Sequence, residues 1–300
     1  MSIILPVSSS NGSRCGGRQG LVHQSAMEST QLMHLEFANK SVVATGGGSN
    51  IGQAIVPAYA HRRRRQYHHR RYQGGEAGEL AKLACAHGAG AAQLVGTGTT
   101  QLDQVKALMD QADSRHGGID VLVNNVGWDK LMFFTQTTPD LWDKIIRINY
   151  LSVLNCTSAV LEKMIPAKSG SIVSTSSDAG RQGEPREAVY GGTKAAINSF
   201  MKTIAKENGR YGIRCNRVCP GVTIPEADDE VGSTSMWANP LFTPEQLEKV
   251  AAALPLKKVG RPRDIANAVL FLSSGAVAGH ITGQVLSVSD GYSMIGLEAR

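Results

Sequence analysis

Short apolar segments alternate with longer amphipathic segments from about residue 40 to the end of the chain. The longer segments repeat their apolar residues every three to four positions, which predicts helices at Gln53–Ala60, Leu141–Met164 and Val189–Asn208. The short segments predict buried strands, and they lie at Ser41–Ala44, Val121–Val123, Ser171–Thr175, Ile213–Val218 and Gln284–Val288. Strands that alternate with helices are typical of a doubly wound parallel sheet. The pattern therefore predicts an α/β fold in which helices flank a parallel sheet.

Residues 1–36 do not follow this pattern. They are rich in serine, glycine and glutamine and lack sustained periodicity, which predicts a disordered N-terminal extension. The apolar stretch Ile3–Val7 is too short for the core of a signal peptide. No apolar run approaches the ~18 residues of a membrane span, so no membrane association is expected. Residues 37–300 are predicted to form one domain, without an internal repeat.

Cysteine usage predicts a cytoplasmic protein with reduced thiols and no metal site. The chain has five cysteines, which are too sparse for a disulfide framework and show no metal-ligand spacing. The formal net charge of +6 has a local origin, because six arginines and three histidines lie within His61–Arg71. That run contains no recognised nucleic-acid motif, and Tyr67 and Tyr72 are its nearest aromatic residues. No nucleic-acid partner is therefore predicted.

A glycine-rich turn follows the first predicted strand of the domain and opens the first helix. Such a turn lets the backbone approach a pyrophosphate and directs the N–H groups of the helix N-terminus at the phosphates. The order of strand, turn and helix favours a dinucleotide site over a purely structural turn. The candidate cofactor-binding residues are Thr45, Gly46, Gly48, Asn50, Ile51 and Gly52.

Tyr190 and Lys194 are one helical turn apart, so their side chains share a helix face. A free tyrosine has a pKa of about 10, which is too high for a base at neutral pH. A nearby ammonium is expected to lower that pKa and make Tyr190 a general acid–base. Ser177 follows the preceding strand, where its hydroxyl can bind the substrate oxygen. On its own, a Tyr/Lys pair on a helix is usually solvent-exposed and has no catalytic role.

Taken together, these motifs resemble the classical short-chain dehydrogenase/reductase family from about Leu35 to the end of the chain. The order and spacing match at Thr45–Gly52, Asn124–Gly127, Asn149, Ser177, Tyr190-x-x-x-Lys194, Pro220-Gly221, Gly260–Ala266, Ile281–Gln284 and Ser289–Gly291. The resemblance implies a single Rossmann-type domain. It also implies hydride transfer between a nicotinamide cofactor and a secondary alcohol or ketone.

The resemblance assigns a role to each matching residue. Tyr190 is the catalytic acid–base, and Lys194 lowers its pKa while binding the nicotinamide ribose. Ser177 orients the substrate oxygen, and Asn149 holds a water that links Lys194 to solvent. The remaining cofactor contacts fall into two groups: Asn124 and Gly127 line the adenosine side, and Pro220, Gly221, Val222 and Thr223 lie beside the nicotinamide.

Three positions depart from the family pattern. Asn50 replaces a glycine of the turn, and asparagine tolerates left-handed backbone geometry better than most residues. Gly98 stands where an aspartate usually contacts adenine, which is expected to weaken cofactor binding. Pro225 stands where a threonine often contacts the carboxamide, and Thr223 is a candidate substitute.

The basic run His61–Gly75 occupies the place of the second strand of the fold. Burying it in a sheet is physically untenable, because unpaired buried charges each cost several kcal/mol. A forward shift of the reading frame by one base turns the codons of Tyr67, His68 and Tyr72 into Ile or Thr codons, which suit a strand. We therefore interpret residues 61–75 as scrambled by a compensated pair of frameshifts. The alternative is a genuine basic insertion.

The cofactor prediction depends on this segment. The shifted frame allows aspartate in place of Arg71, and an acid at the end of the second strand binds the adenosine ribose and favours NAD. The arginines of the unshifted frame favour NADP, because guanidinium groups suit a 2′-phosphate. NAD is the predicted cofactor, with NADP as the alternative.

Several stretches most resemble 2-hydroxycyclohexanecarboxyl-CoA dehydrogenases, so the predicted substrate is an alicyclic or acyl-CoA hydroxy compound. Trp128 is a candidate wall for a ring, Arg181 and Arg186 are candidate contacts for a CoA phosphate, and residues 223–250 are a candidate lid. The alternatives are an NADPH-dependent 3-oxoacyl-carrier-protein reductase and a non-catalytic nucleotide-binding protein. The family resemblance also implies a homotetramer or homodimer.

Overall fold

A computed structural model of the chain describes the backbone of residues 2–6 and residues 37, 39–48, 50–60, 93–225, 231 and 242–294. These residues form a seven-stranded sheet with helices on both faces, so the α/β prediction is confirmed. The strands are β1 (Ser2–Pro6), β2 (Ser41–Thr45), β3 (Gln93–Val95), β4 (Val121–Asn124), β5 (Gly170–Thr175), β6 (Ile213–Pro220) and β7 (Val285–Val288).

The strand order is β3-β1-β2-β4-β5-β6-β7. Five strands, β2 and β4 to β7, run parallel to one another. Parallel strands place their carboxyl ends at one edge of the sheet, where ligands of doubly wound folds bind. The turn after β2, the loop after β4, Ser177 after β5 and Gly221 after β6 all begin at this edge.

Helices cover both faces of the sheet. They are α1 (Ile51–Ala60), α2 (Leu102–His116), α3 (Pro139–Ile146), α4 (Ser152–Ala167), α5 (Ala179–Gln182), α6 (Ala188–Asn208), α7 (Pro244–Ala253), α8 (Pro262–Ser273) and α9 (Gly275–Ala278). Short 3₁₀ turns lie at Phe134–Gln136 and Gly209–Tyr211, and a π-helical turn, Arg147–Leu151, joins α3 to α4. Within the described part of the chain, no helix is long and apolar enough to cross a membrane.

Alternation along the strands divides the apolar side chains between two cores. In β2, Val42 and Ala44 pack with α1 and α8, whereas Val43 packs on the opposite face with α2, α4 and α6. Because successive side chains of a strand point to opposite faces, a strand buried on both sides reads as a continuous apolar run. This is why short apolar segments in the sequence marked the central strands correctly.

The N-terminal segment contributes a strand that was not predicted. Ser2–Pro6 forms β1 and lies between β2 and β3, antiparallel to both. The predicted disorder therefore does not extend to Ser2–Pro6, whereas residues 7–36 lie outside the described residues and the disorder there stays a prediction. An apolar segment too short for a signal peptide is long enough for a strand, and the open edge of β2 offers backbone partners. The predicted frameshifted segment, 61–75, lies outside the described residues.

We expect Ile4→Pro to destabilise the domain. Ile4 lies between Val43 of β2 and Gln93 of β3, so its amide belongs to the ladder of an interior strand. Proline removes that donor and leaves a carbonyl unpaired, which costs about 2 kcal/mol. Thermal unfolding measures the effect, and Ile4→Val is the control because it keeps a β-branched strand former. An unchanged melting temperature for Ile4→Pro contradicts this strand assignment.

Candidate active site

The glycine-rich turn is tied to the loop after β4 by Thr45 at the end of β2. The Thr45 hydroxyl donates to the Val123 carbonyl at 3.3 Å. The same oxygen accepts the backbone N–H groups of Asn125 at 3.0 Å and Val126 at 3.3 Å. Thr45 therefore joins the two loops that line the cleft through the hydrogen bonds of its buried hydroxyl.

The turn has the geometry of a dinucleotide cradle. Gly46 has φ of 66°, and a Cβ on Gly52 would lie 1.9 Å from the Gly46 carbonyl oxygen. Asn50 has φ of 46°, as its tolerance of left-handed geometry predicted. Helix α1 begins at Ile51, so its unpaired N–H groups lie next to the turn. These residues fit the pyrophosphate of a nicotinamide cofactor.

Asn125, which was not among the predicted site residues, connects the glycine-rich turn to β5. Its Nδ2 donates to the Gly46 carbonyl at 3.4 Å, and its Oδ1 accepts the Thr175 hydroxyl at 3.2 Å. Thr175 ends β5, two residues before Ser177. The adjacent Asn124 is different, because its buried Nδ2 donates to Thr157 and Ser174 within the core. Its side chain supports the sheet.

Tyr190, Lys194 and Ser177 come together at the carboxyl edge. Tyr190 and Lys194 lie in the first two turns of α6, and the Lys194 Nζ is 5.2 Å from the centre of the Tyr190 ring. The Ser177 side chain interacts with the Tyr190 phenol and acts to lower its pKa. Lys194 is buried, and its Nζ donates to the Thr175 carbonyl at 3.1 Å. The predicted catalytic trio therefore forms one cluster.

Asn149 completes the cluster from the π-helical turn. Its Nδ2 donates to the carbonyls of Trp128 at 2.6 Å and Ile145 at 2.9 Å, and its Oδ1 accepts the Trp128 N–H at 3.1 Å. Both amide N–H groups are thus engaged. A Cβ placed on Gly127 would lie 3.1 Å from Asn149 Oδ1 and 3.4 Å from Lys194 Nζ. Gly127 therefore lies at the Lys194 end of the cleft, whereas the resemblance assigned it to the adenosine side.

The Tyr190 phenol has a raised pKa, which differs from the sequence prediction of a lowered one. Burial is the largest cause, and the carboxylates of Glu187 and Asp129 add to it. Burial also lowers the pKa of Lys194 to about 8. Desolvation disfavours both the phenolate and the ammonium, so it opposes the stabilisation that the ion pair would provide. The Tyr190 phenol is therefore protonated at neutral pH.

Two carboxyl groups near the cluster were not found by sequence reasoning. Asp129 is 2% exposed, and Glu187 is half-buried immediately before α6. Burial raises the pKa of Asp129 to about 6. Burial and the charges of Asp129 and Glu184 raise the pKa of Glu187 to about 7. Neither residue belongs to a motif with a fixed spacing from Tyr190 and Lys194, so the sequence carried no signal for them.

The predicted nicotinamide-side residues lie at the end of β6, where Pro220 is the last residue of the strand and Gly221 to Thr223 follow it. The Gly221 N–H donates to the Val288 carbonyl at 3.1 Å, and Thr223 pairs with Gly260 in a parallel bridge. The Thr223 hydroxyl donates to the Gly221 carbonyl at 3.2 Å. Pro225 accepts a hydrogen bond from Arg261 at 3.0 Å. Most of the predicted lid, residues 226–230 and 232–241, lies outside the described residues.

The candidate substrate contacts already have protein partners. Arg181 forms an ion pair with Asp178 at 3.0 Å and also bonds Ser293. Arg186 donates to the Leu131 carbonyl at 3.2 Å. The Lys144 ammonium lies 3.9 Å from the centre of the Trp128 ring. These contacts favour structural roles for Arg181 and Arg186 over a CoA phosphate site.

Three comparisons relate the chain to known proteins. A family model described as enoyl-(acyl carrier protein) reductase matches residues 47–293. An acetoacetyl-CoA reductase of Synechocystis sp. is 30% identical over 262 residues, which cover 87% of this chain and 99% of that protein. A 3-oxoacyl-(acyl-carrier-protein) reductase FabG of Chlamydia trachomatis is 33% identical over 260 residues, 86% of this chain and 98% of that protein.

The solved structures include a similar fold. A tyrosine-to-phenylalanine variant of ElxO with NADPH bound has a TM-score of 0.68 and 25% sequence identity to this chain. The likeness covers 84% of this chain and 97% of that chain.

Proposed function

Because the chain belongs to the classical short-chain dehydrogenase/reductase family, we propose that it reduces the ketone of a 3-oxoacyl thioester with NADPH. The reaction class itself, an NAD(P)-dependent interconversion of a secondary alcohol and a ketone, follows from family membership. The observation that carries the proposal is the cluster of Tyr190, Ser177 and Lys194 at the carboxyl edge of the sheet.

The protonation of the site is compatible with the reducing direction, in which a protonated group gives its proton to the substrate oxygen. Reduction needs a proton donor at the substrate oxygen, and burial together with two nearby carboxylates keeps the Tyr190 phenol protonated by raising its pKa. Ser177, whose side chain interacts with that phenol, is placed to hold the same substrate oxygen. When bound, the nicotinamide cofactor supplies the hydride. The protein residues position the ketone and deliver the proton.

NADPH is proposed in place of the NAD that the shifted reading frame predicts. That prediction requires an aspartate that this chain does not have, since residues 61–75 contain no acidic residue. At the carboxyl edge, Ser2 of β1 pairs with Thr45 and Val95, in the strand position that carries the ribose-binding acid in the usual fold. That strand position therefore carries a serine in the sequence and not an acidic residue. The NADPH bound to the ElxO variant also supports this choice.

The thioester substrate is supported by the relatives. Acetoacetyl-CoA reductase and FabG act, by their names, on 3-oxoacyl groups carried as thioesters. The alicyclic hydroxyacyl-CoA predicted from the sequence has the same carrier and differs in the ring. Trp128 contacts Lys144, and Arg181 and Arg186 bind protein groups. These contacts do not favour binding of an alicyclic ring by Trp128 or of a CoA phosphate by the two arginines. An open-chain 3-oxoacyl group is therefore the proposed substrate.

Steady-state kinetics on the purified protein test this function. We expect turnover of acetoacetyl-CoA, with a kcat/KM for NADPH at least about tenfold higher than for NADH, a difference of about 1.4 kcal/mol. A 2-oxocyclohexanecarboxyl-CoA substrate is the comparison for the alicyclic alternative. Preference for NADH contradicts the cofactor proposal. Binding of NADPH without turnover of any ketone contradicts the catalytic one and favours a nucleotide-binding protein.

The assembly is also inferred by family resemblance. We propose a homotetramer or homodimer, with contacts through α3, α4, α6 and β7. Exposed apolar side chains at Phe133, Phe134 and Ile146 support an interface beside α3. The cytoplasmic location stays a prediction from the sequence.

A further inference from the structure

Asp129 is a buried carboxylate that the proposed reaction does not use. It is 2% exposed, and its Oδ2 has no hydrogen-bond partner among the described residues. A buried acceptor without a partner costs free energy, so such a group usually has a function. Its neighbourhood supports this, because it interacts electrostatically with Lys194, Glu187 and Tyr190.

The position of Asp129 is set by the catalytic cluster itself. Asn149 holds both the N–H and the carbonyl of Trp128, the residue before Asp129. Gly127, one residue earlier, lies against Lys194. The backbone that carries Asp129 is therefore fastened to the Asn149 side chain on one side of the Lys194 ammonium. The backbone next to Asp129 cannot move away from the cluster without breaking these contacts.

Glu187 connects this buried carboxylate to the protein surface. It immediately precedes α6 and lies three residues before Tyr190. It is half-buried, whereas Asp129 is fully buried. A proton on Asp129 therefore has a carboxyl neighbour that is in contact with water. The Asn149 side chain is less available for this purpose, because both of its N–H groups are engaged by backbone carbonyls.

We propose that Asp129 and Glu187 are positioning residues that form a second proton path, which keeps Tyr190 in its acid form and returns a proton to Lys194 after each turnover. This inference rests on the proposed function. In the reducing direction, the Tyr190 O–H bond breaks as the substrate oxygen gains the proton. Lys194 then gives a proton to the phenolate, and the carboxyl pair gives one to the neutral amine. Glu187 takes the replacement proton from water.

The charged and titratable groups around the pair are consistent with one shared proton. They are Lys194 and Tyr190 on α6 and Glu184 in the loop before it, with Cys219 near the end of β6 acting on Lys194 and Tyr190; the backbone of Lys130 donates to Asp129. Burial raises the pKa of Asp129 to about 6, and burial together with the charge of Asp129 raises the pKa of Glu187 to about 7. Two neighbouring carboxyls with raised pKa values lose their protons stepwise. The second proton is therefore held near neutral pH.

The pH dependence of Asp129→Asn tests the proposal. Removing a negative charge lowers the pKa values of both Lys194, which titrates first, and Tyr190, so the alkaline limb of kcat/KM for ketone reduction should move down by on the order of one pH unit. Glu187→Gln should move the limb in the same direction. Asp129→Glu should restore the wild-type profile, and Glu162→Gln, an exposed acid on α4 that pairs with Lys106, should leave it unchanged.

A titration without cofactor or substrate provides an independent measurement. Tyrosinate absorbance of the protein, minus that of Tyr190→Phe, isolates the Tyr190 titration, which should also move to lower pH in Asp129→Asn. A merely structural Asp129 would lower the rate at all pH values and move neither curve. Unmoved curves in a folded Asp129→Asn protein overturn the inference. If Tyr190→Phe keeps full activity, the proposed function fails instead.

Discussion

Tyr190→Phe lowers kcat for ketone reduction by about 10²–10⁴-fold, the usual contribution of a general acid. The centre of the Tyr190 ring lies 5.2 Å from Lys194 Nζ, and the Ser177 side chain interacts with the phenol, which is therefore the group placed to give a proton to the substrate oxygen. Phenylalanine keeps an aromatic ring at the same position of α6 and removes only the hydroxyl. Stopped-flow measurement of NADPH oxidation records the loss.

Cofactor affinity separates this result from a folding defect. The NADPH dissociation constant of Tyr190→Phe, from fluorescence titration, should stay within about threefold of wild type, a change of less than 1 kcal/mol. Tyr211→Phe is the matched control, because that ring packs against Arg210 beyond the far end of α6. If Tyr190→Phe and Tyr211→Phe have the same activity, the assignment of the acid is wrong.

Gly52→Ala is expected to disrupt the phosphate cradle. An alanine Cβ would lie 1.9 Å from the Gly46 carbonyl oxygen and 2.8 Å from its carbon, so the backbone of the turn must move. Overpacking of this kind costs about 3 kcal/mol, which corresponds to roughly 100-fold in the dissociation constant of the cofactor. Calorimetric titration with NADPH and thermal unfolding of the free protein measure the two consequences.

Gly192→Ala is the control for Gly52→Ala. A Cβ on Gly192 meets nothing within 4 Å, and the residue lies inside α6, two residues from Tyr190. Alanine there should stabilise the helix by roughly 0.5–1 kcal/mol without changing cofactor affinity. Wild-type NADPH affinity in Gly52→Ala contradicts the cradle, because the steric overlap with Gly46 would then have no consequence for the ligand.

The central strands and the phosphate turn could be predicted because their signals are local. A strand buried on both faces reads as an apolar run, and the turn needs only a few consecutive residues of small size. The helix predicted over Leu141–Met164 exists as α3, the π-helical turn and α4. Its amphipathic periodicity does not reveal the π-helical turn, which places Asn149 against Trp128.

The position of β1 could not be predicted because strand pairing is a long-range property. Nothing in Ser2–Pro6 states that its partners are Ser41–Thr45 and Gln93–Val95, far along the chain. Sequence reasoning located a gap at the second strand and explained it by a frameshift. The structure places another segment there, with the opposite direction.

By itself, the sequence determined the family and the fold class and singled out the candidate catalytic residues, because Tyr190 and Lys194 are one helical turn apart and the turn, strand and helix signals are contiguous. Only the tertiary structure decided the protonation of the site. The pKa of Tyr190 depends on its burial and on Asp129, which the chain brings from the loop after β4. Electrostatic interactions act through space, so the direction of the pKa shift follows from the folded arrangement and not from spacing along the chain.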